Sequence, residues 1–341
     1  MDLQVGGVDE IEMRLAAALG LAAAGLALTA PGAFAFDCKR AASASEKAIC
    51  ADPAALAADA DLSKAFEALR VASDPKARAQ LVAAEVAWLA RRDAQCSDQK
   101  GAALSACLAA QSRTRLAFLT GAPEVGPGAP GRIAPAFLMQ KGGKGRADID
   151  VQTLRFVDPT SAAARAFNAA VDRLSSDLEE PDKDDPQADK FAYAWSMRLA
   201  YASPRLISAH ADGYSYSGGA HPNSYSANVN VDVGRGREAT LDDLLDKPAA
   251  QKIFALCVGQ VRDKKKENGA WDENSEAWGE KQLVKNVAEA SADLKSWSFG
   301  ADAATIGYDP YAVGPYSDGP YECKIAYAVL RPLARPDFPL P

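Results

Sequence analysis

Histidine is nearly missing from this chain: its 341 residues contain two, His210 and His221. A zinc centre or a histidine-based acid–base pair therefore has little material to draw on. The six cysteines include no C-x-x-C pair, which removes the usual ligand spacing of structural zinc. No Gly-x-Ser-x-Gly elbow surrounds Ser215, Ser217 or Ser224, so a Ser-His-Asp hydrolase lacks its strained turn. The formal net charge is −7, and an acidic chain without a basic stripe has no electrostatic footprint for nucleic acid. Long apolar runs are absent too, with one exception near the N-terminus.

That exception runs from Leu15 to Ala30, preceded by Arg14 and followed by Ala33-Phe-Ala35. This is the charged, apolar and A-x-A order of a secretory signal peptide, with cleavage expected after Ala35. The residues before Met13 include Asp2, Asp9, Glu10 and Glu12; an acidic leader suits no signal peptide, so translation is expected to start at Met13. A retained anchor is the alternative, but the run is short for a span of ~20 residues and stops at Pro31-Gly32. Asp37 ahead of Cys38 departs from the small residues that precede a lipidated cysteine. The expected location is periplasmic or secreted, with no stable membrane span after cleavage. In that setting the even set Cys38, Cys50, Cys96, Cys107, Cys257 and Cys323 implies three disulfides.

Apolar spacing predicts three helices in residues 36–120. The first runs from Asp52 to about Val71 behind an Asp-Pro start, with Leu56, Leu62, Phe66 and Leu69. The second spans Pro75 to about Gln95, and the third about Ala102 to Leu119. Four cysteines allow three pairings in this region. A helical hairpin would bring Cys50 near Cys96, which leans toward that pair. Gly121 to Pro135 is a Pro/Gly-rich stretch expected to act as a linker.

Residues 136–341 alternate in the manner of strands, at Arg146 to Val157 (with a phase slip suggesting a bulge), Phe191 to Tyr201, Arg205 to Tyr216 and Ser224 to Val233. Thr160 is expected to cap a helix through Leu178, and Glu179 to Asp189 reads as a solvated acidic loop. Helices follow from Pro248 to Lys266 and Ser275 to Leu294. The end is strand-rich, with Cys323, Ile325, Tyr327 and Val329 on one face, so Cys257 and Cys323 are expected to pair. The fold class is a disulfide-stapled all-α domain followed by an α+β domain with an antiparallel sheet and helices on one side.

Two resemblances attach to these halves. Phe36-Asp-Cys38, Glu46, Ile49-Cys50, Leu56, Asp59, Trp88-Leu89, Arg92, Cys96, Cys107-Leu108 and Arg115 resemble the N-terminal domain of LprI-type lysozyme inhibitors. Tyr216, Gly218-Gly-Ala-His-Pro-Asn223, Asn228, Asn230, Thr240-Leu241, Leu244-Leu245, Tyr311-Ala-Val-Gly-Pro-Tyr316, Gly319 and Ile325-Ala-Tyr327 resemble the extracellular lysozyme-binding domain of RsiV-type anti-sigma factors. Both resemblances imply a cationic lysozyme-type muramidase as partner, and neither implies an enzyme or a cofactor. A cytoplasmic sigma-binding segment is not recognisable, so no signalling role is carried over.

Two windows hold seven of the ten tyrosines, Tyr214 to Asp232 and Tyr308 to Tyr321. Tyrosine mixed with Ser, Gly and Asn supplies rigid contact area and adaptable hydrogen bonds. The candidate partner-binding residues are therefore Tyr216, Gly218, Gly219, His221, Asn223, Tyr311, Tyr316 and Tyr321. The plainer alternative is that alternating tyrosines merely cover a sheet. His221 either stabilises the Gly-Gly corner, touches a partner, or joins Asp212 and Asp232 at a metal; the first is favoured and no metal is assigned. The adjacent pairs Glu179-Glu180 and Asp184-Asp185 diverge along the chain and do not flank a glycosidic bond. Residues 36–121 carry twelve basic and ten acidic residues, which leaves −6 on residues 122–341. Such a charge steers a cationic partner. The expected function is an exported lysozyme binder or inhibitor without catalytic residues. The alternatives are a peptidoglycan-binding module, with tyrosines stacked on sugar rings, and an unrecognised hydrolase.

Overall fold

The computed structural model describes residues 37–143, 145–174 and 190–341. The expected leader, its cleavage site and the acidic segment 179–189 lie outside them. Among the described residues no helix is long and apolar enough to cross a membrane.

The N-terminal region begins with a helix that apolar spacing does not reveal. Helix α1 (Ala44–Ala51) buries only Ile49 and is set by a Ser43/Glu46 capping box. Two Asp-Pro pairs then start the long helices α2 (Pro53–Ala72) and α3 (Pro75–Cys96). Asp52 accepts from the N–H groups of Ala54 and Ala55 at 2.8 and 2.9 Å, and Asp74 does the same for Lys76 and Ala77. Each aspartate satisfies donors that the first helical turn leaves unpaired. Asp74→Ala is accordingly expected to lower the unfolding free energy by about 1 kcal/mol in urea titration. Helix α4 (Ala102–Thr120) completes the set.

The disulfides are Cys38–Cys50, Cys96–Cys107 and Cys257–Cys323. The last is as expected, whereas the leaning toward Cys50–Cys96 is corrected. Cys50 ends α1, a helix of its own, and folds back onto the short 3-10 turn Cys38–Arg40. Cys96 closes α3 and meets Cys107 on α4 across the intervening turn.

Strands β1 (Ile133–Gln140), β2 (Asp148–Phe156), β3 (Ala192–Ala202), β4 (Leu206–Tyr216), β5 (Asn223–Asp232) and β6 (Arg237–Glu238) line up in chain order. Neighbours are antiparallel except β2 and β3, which are parallel. A parallel pair needs a crossover, and helix α5 (Ala162–Leu174) lies in it. Its first turn is capped by Ser161, whose hydroxyl accepts from Ala164 N–H at 3.1 Å, one residue beyond the expected Thr160. The phase slip in β2 is not a bulge, because β1 and β2 pair without a register shift. It arises because both faces are covered, so strict alternation is not required. Arg155 pairs with Asp172 of α5, while Asp150 and Gln152 of opposite parity meet Arg91 of α3 and Arg115 of α4.

Strand β1 lies partly inside the stretch expected to be a linker. Glu124 N–H donates to Leu199 O at 2.8 Å, Val125 bridges Tyr201, and β1 starts at Ile133. Pro135 obscured the strand, yet proline is tolerated there because β1 is an edge strand. The Gln80 amide pairs with both backbone groups of Met139, at 3.2 and 2.5 Å. Leu62, Leu81, Trp88, Phe118 and Leu119 of the helices share one buried cluster with Ile133, Val151, Leu154 and Trp195 of the sheet.

A second core gathers around α6 (Leu241–Leu244), α7 (Lys247–Glu267), α8 (Glu280–Ser291) and the antiparallel strands β7 (Trp297–Phe299), β8 (Ala303–Tyr308) and β9 (Tyr321–Ala326). After Ala326 the chain turns into the short helix α9 (Tyr327–Leu330). Val329 therefore leaves the face of Cys323 and Ile325 and is 47% exposed. Side chains join the two sheets. Asn228 donates to Lys295 O at 2.7 Å, Asn230 to Leu294 O and Trp297 O at 2.8 and 2.7 Å, and Ser208 Oγ accepts from Phe299 N–H at 3.0 Å. Those two asparagines are thus structural, spanning a gap between sheets that no regular ladder fills.

Candidate functional site

The β4–β5 hairpin closes through Gly218 and Gly219, at φ +89° and +104°. Those angles suit glycine and strain other residues. Tyr216 staples the corner by donating its hydroxyl to Gly219 O at 3.1 Å. Asn223 follows as the exposed first residue of β5, opposite Ser215.

His221 sits between this corner and the loop after β8. Its Nδ1 donates to Pro222 O at 2.9 Å, since a carbonyl can only accept. That leaves Nε2 as the acceptor for the Tyr311 hydroxyl at 3.2 Å, 90 residues further along the chain. The imidazole stacks on the Tyr316 ring, with centroids 3.8 Å apart and planes 18° from parallel. Tyr311 and Tyr316 lie 5.7 Å apart. Three rings from two loops thus form one cluster, with Tyr311 projecting from it at 52% exposure. Tyr311 is held at φ +72°, the one described non-glycine residue with positive φ. A left-handed tyrosine costs on the order of 1 kcal/mol and persists where surrounding contacts over-determine it.

Those contacts come from residues that tyrosine composition does not point to. Asp309 accepts from Ser226 N–H at 3.0 Å and from Ser226 Oγ at 2.8 Å, tying the start of the loop to β5. Asp318 accepts from the Lys265 ammonium at 2.8 Å near its end. The Asp309-Pro310 pair was a sequence signal for a turn; nothing in the spacing pointed to Lys265, on a helix.

The remaining tyrosines divide differently from expectation. Tyr321, expected among the contact residues, is 3% exposed, with the Lys265 ammonium 5.0 Å from its ring centroid. It is corrected to a core residue, because β9 directs it inward beside Cys323 and Ile325. Burial, followed by the Asp318 charge, pushes its phenol up. Tyr308 is also buried, donating or accepting at Ser291 Oγ over 2.8 Å, and burial pushes its phenol up to about 12. Tyr225 packs edge-on against Trp195 at 4.9 Å. For these three, covering a core is sufficient explanation.

The carboxylates considered beside His221 are engaged elsewhere. Asp212 meets His210 Nε2 at 3.2 Å, and that hydrogen bond holds its carboxyl below the usual range. Asp232 pairs with Arg235 at 2.6 Å. Among the described residues no group of three or more His, Cys, Asp and Glu side chains is placed to hold a metal ion.

Comparison with known proteins divides the chain in three. Residues 38–119 match the family described as lysozyme inhibitor LprI. Residues 146–224 match deacetylase PdaC, and residues 242–328 match a protein family of unknown function, DUF3298. No curated protein matches the chain. Similar solved structures include a DUF3298 family member from Bacteroides fragilis, 15% identical, covering 61% of this chain and 94% of its own, with a TM-score of 0.45. A DUF3298 family protein from Pseudomonas aeruginosa is 18% identical over the same shares, with a TM-score of 0.37. The chain is thus similar to the LprI lysozyme-inhibitor family over residues 38–119 and, further along, to the PdaC and DUF3298 families over residues 146–224 and 242–328.

Proposed function

We propose that this is an exported cell-envelope protein that binds and inhibits a lysozyme-type muramidase, with the His221–Tyr311–Tyr316 cluster as its main contact. The family match over residues 38–119 supports the partner class. The observation that carries the site is the convergence of those three rings from loops 90 residues apart, around an exposed tyrosine in a left-handed conformation. Rigid aromatic groups at a fixed position bind with little loss of rotamer freedom. Their polar edges suit the sugar cleft of a muramidase, where an inserted loop would exclude substrate. The −6 on residues 122–341 would steer a cationic partner toward this half. The apolar leader run and the three disulfides agree with export.

Surface plasmon resonance of the full chain against a panel of lysozymes and soluble muropeptides tests the proposal. Tyr311→Ala and Tyr316→Ala are each expected to weaken lysozyme binding by about 1 to 3 kcal/mol without changing the thermal midpoint appreciably. His221→Ala separates the roles of that residue, since a contact role lowers affinity in a stable protein and a purely structural role lowers the midpoint. Raised salt should slow association more than it speeds release, because screening over a Debye length of ~8 Å at 0.15 M acts on encounter. Tight muropeptide binding with no lysozyme binding would replace this proposal with a glycan-binding one.

A further inference from the structure

We infer that Lys265 is a positioning residue for the aromatic cluster, acting through Asp318 to fix the Tyr311–Tyr316 loop before any partner arrives. This rests on the proposed binding role of that cluster. Lys265 lies on the inner face of α7, far from the cluster in sequence, and is 0% exposed. Burying a lysine among apolar groups is unfavourable unless its charge is matched. Here the match is Asp318, which closes the 3-10 turn Tyr316–Asp318 that carries the stacked Tyr316 ring. The Tyr321 ring lies 5.0 Å from the same ammonium.

The loop backbone is fitted closely to this ion pair. A Cβ placed on Gly314 would come within 2.7 Å of Lys265 Nζ and 2.6 Å of an Asp318 carboxylate oxygen. No residue larger than glycine passes there without displacing one partner, so the path of the chain and the position of the charges are mutually dependent. At its other end the loop is held by Asp309 on Ser226. Between these two tethers lie Tyr311, in its left-handed conformation, and Tyr316 under His221. Two tethers on different elements, β5 and α7, are what hold a surface segment in one arrangement. A buried ion pair adds little net stability compared with an apolar pair but defines geometry, and prior ordering of a contact loop appears in binding as slower dissociation.

The test compares full-length wild type with the double variant K265M/D318N, which removes the tether without stranding a buried charge, and with Gly314→Ala. Native-state hydrogen exchange is read at residues 311–318 and elsewhere, together with lysozyme association and dissociation rates. In both variants the loop amides are expected to exchange at least about tenfold faster while the β4, β5 and α7 amides keep their protection. Lysozyme dissociation should accelerate about tenfold with association nearly unchanged. Loop protection equal to wild type would overturn the inference, and so would a loosened loop with unchanged dissociation. Failure of wild type to bind lysozyme would instead sink the proposed partner and the binding half of this inference, while the exchange result still decides whether Lys265 orders the loop.

Discussion

Arg115→Ala is expected to destabilise the protein by about 3 to 5 kcal/mol, the range for removing one member of a buried ion pair. Arg115 is 4% exposed, on α4. Its Nε donates to Glu85 at 3.0 Å, within the helical region, and its Nη1 donates to Gln152 Oε1 of β2 at 2.6 Å. The guanidinium also lies over Trp88, Phe118 and Phe137, at 5.5, 5.1 and 5.9 Å from the ring centroids. Gln152 continues the network by donating to Asp150, which pairs with Arg91. One side chain therefore joins helices to sheet, and its loss leaves Glu85 buried without its partner. Burial pushes the Glu85 carboxyl up and the Arg115 guanidinium down, each pulled back by the charge of the other. Urea denaturation should show a single transition at lower midpoint. Exposed Arg113→Ala should shift stability by no more than about 0.5 kcal/mol. E85Q/R115M should recover much of the loss, since no buried charge is then stranded. An Arg115→Ala effect below about 1 kcal/mol would mean that the helices do not depend on this network.

The second large effect is expected at Cys257–Cys323. Replacing both with alanine should cost roughly 4 kcal/mol by loop-closure entropy, since 66 residues separate them. C38A/C50A spans only 12 residues and should cost about 1.5 kcal/mol less on the same logarithmic scale. Both Cys257 and Cys323 are fully buried between α7 and β9. The same helix grips that strand again, where the Gln260 amide exchanges hydrogen bonds with the backbone of Lys324 at 2.9 and 3.0 Å. Chemical denaturation of the two double variants gives the comparison. Equal losses would indicate that native packing, and not chain entropy, sets the contribution of the longer loop.

Much of the secondary structure was readable locally because its causes are local. Asp52-Pro53 and Asp74-Pro75 mark helix starts through capping groups adjacent in the chain. The β4–β5 hairpin announces itself by alternation around two glycines. Strand β1 was hidden by Pro135, and α1 by having one buried side chain. The strand expected through Val329 stopped at Ala326, since the burial of Tyr327 is compatible with either a strand or a helical turn.

By itself the sequence determined most of the long helices and strands, the even cysteine set and the two tyrosine windows, because periodicity, caps and composition act within a few residues. Only the tertiary structure decided which cysteines of the N-terminal four meet, and that Tyr321 is core while Tyr311 projects. It also decided that His221 stacks on a ring 95 positions later, and that a lysine inside a helix pairs with the aspartate that closes the turn bearing that ring. A periodic pattern states which face of an element is apolar; what that face meets depends on closing long loops, and that information lies in the packing of the whole chain.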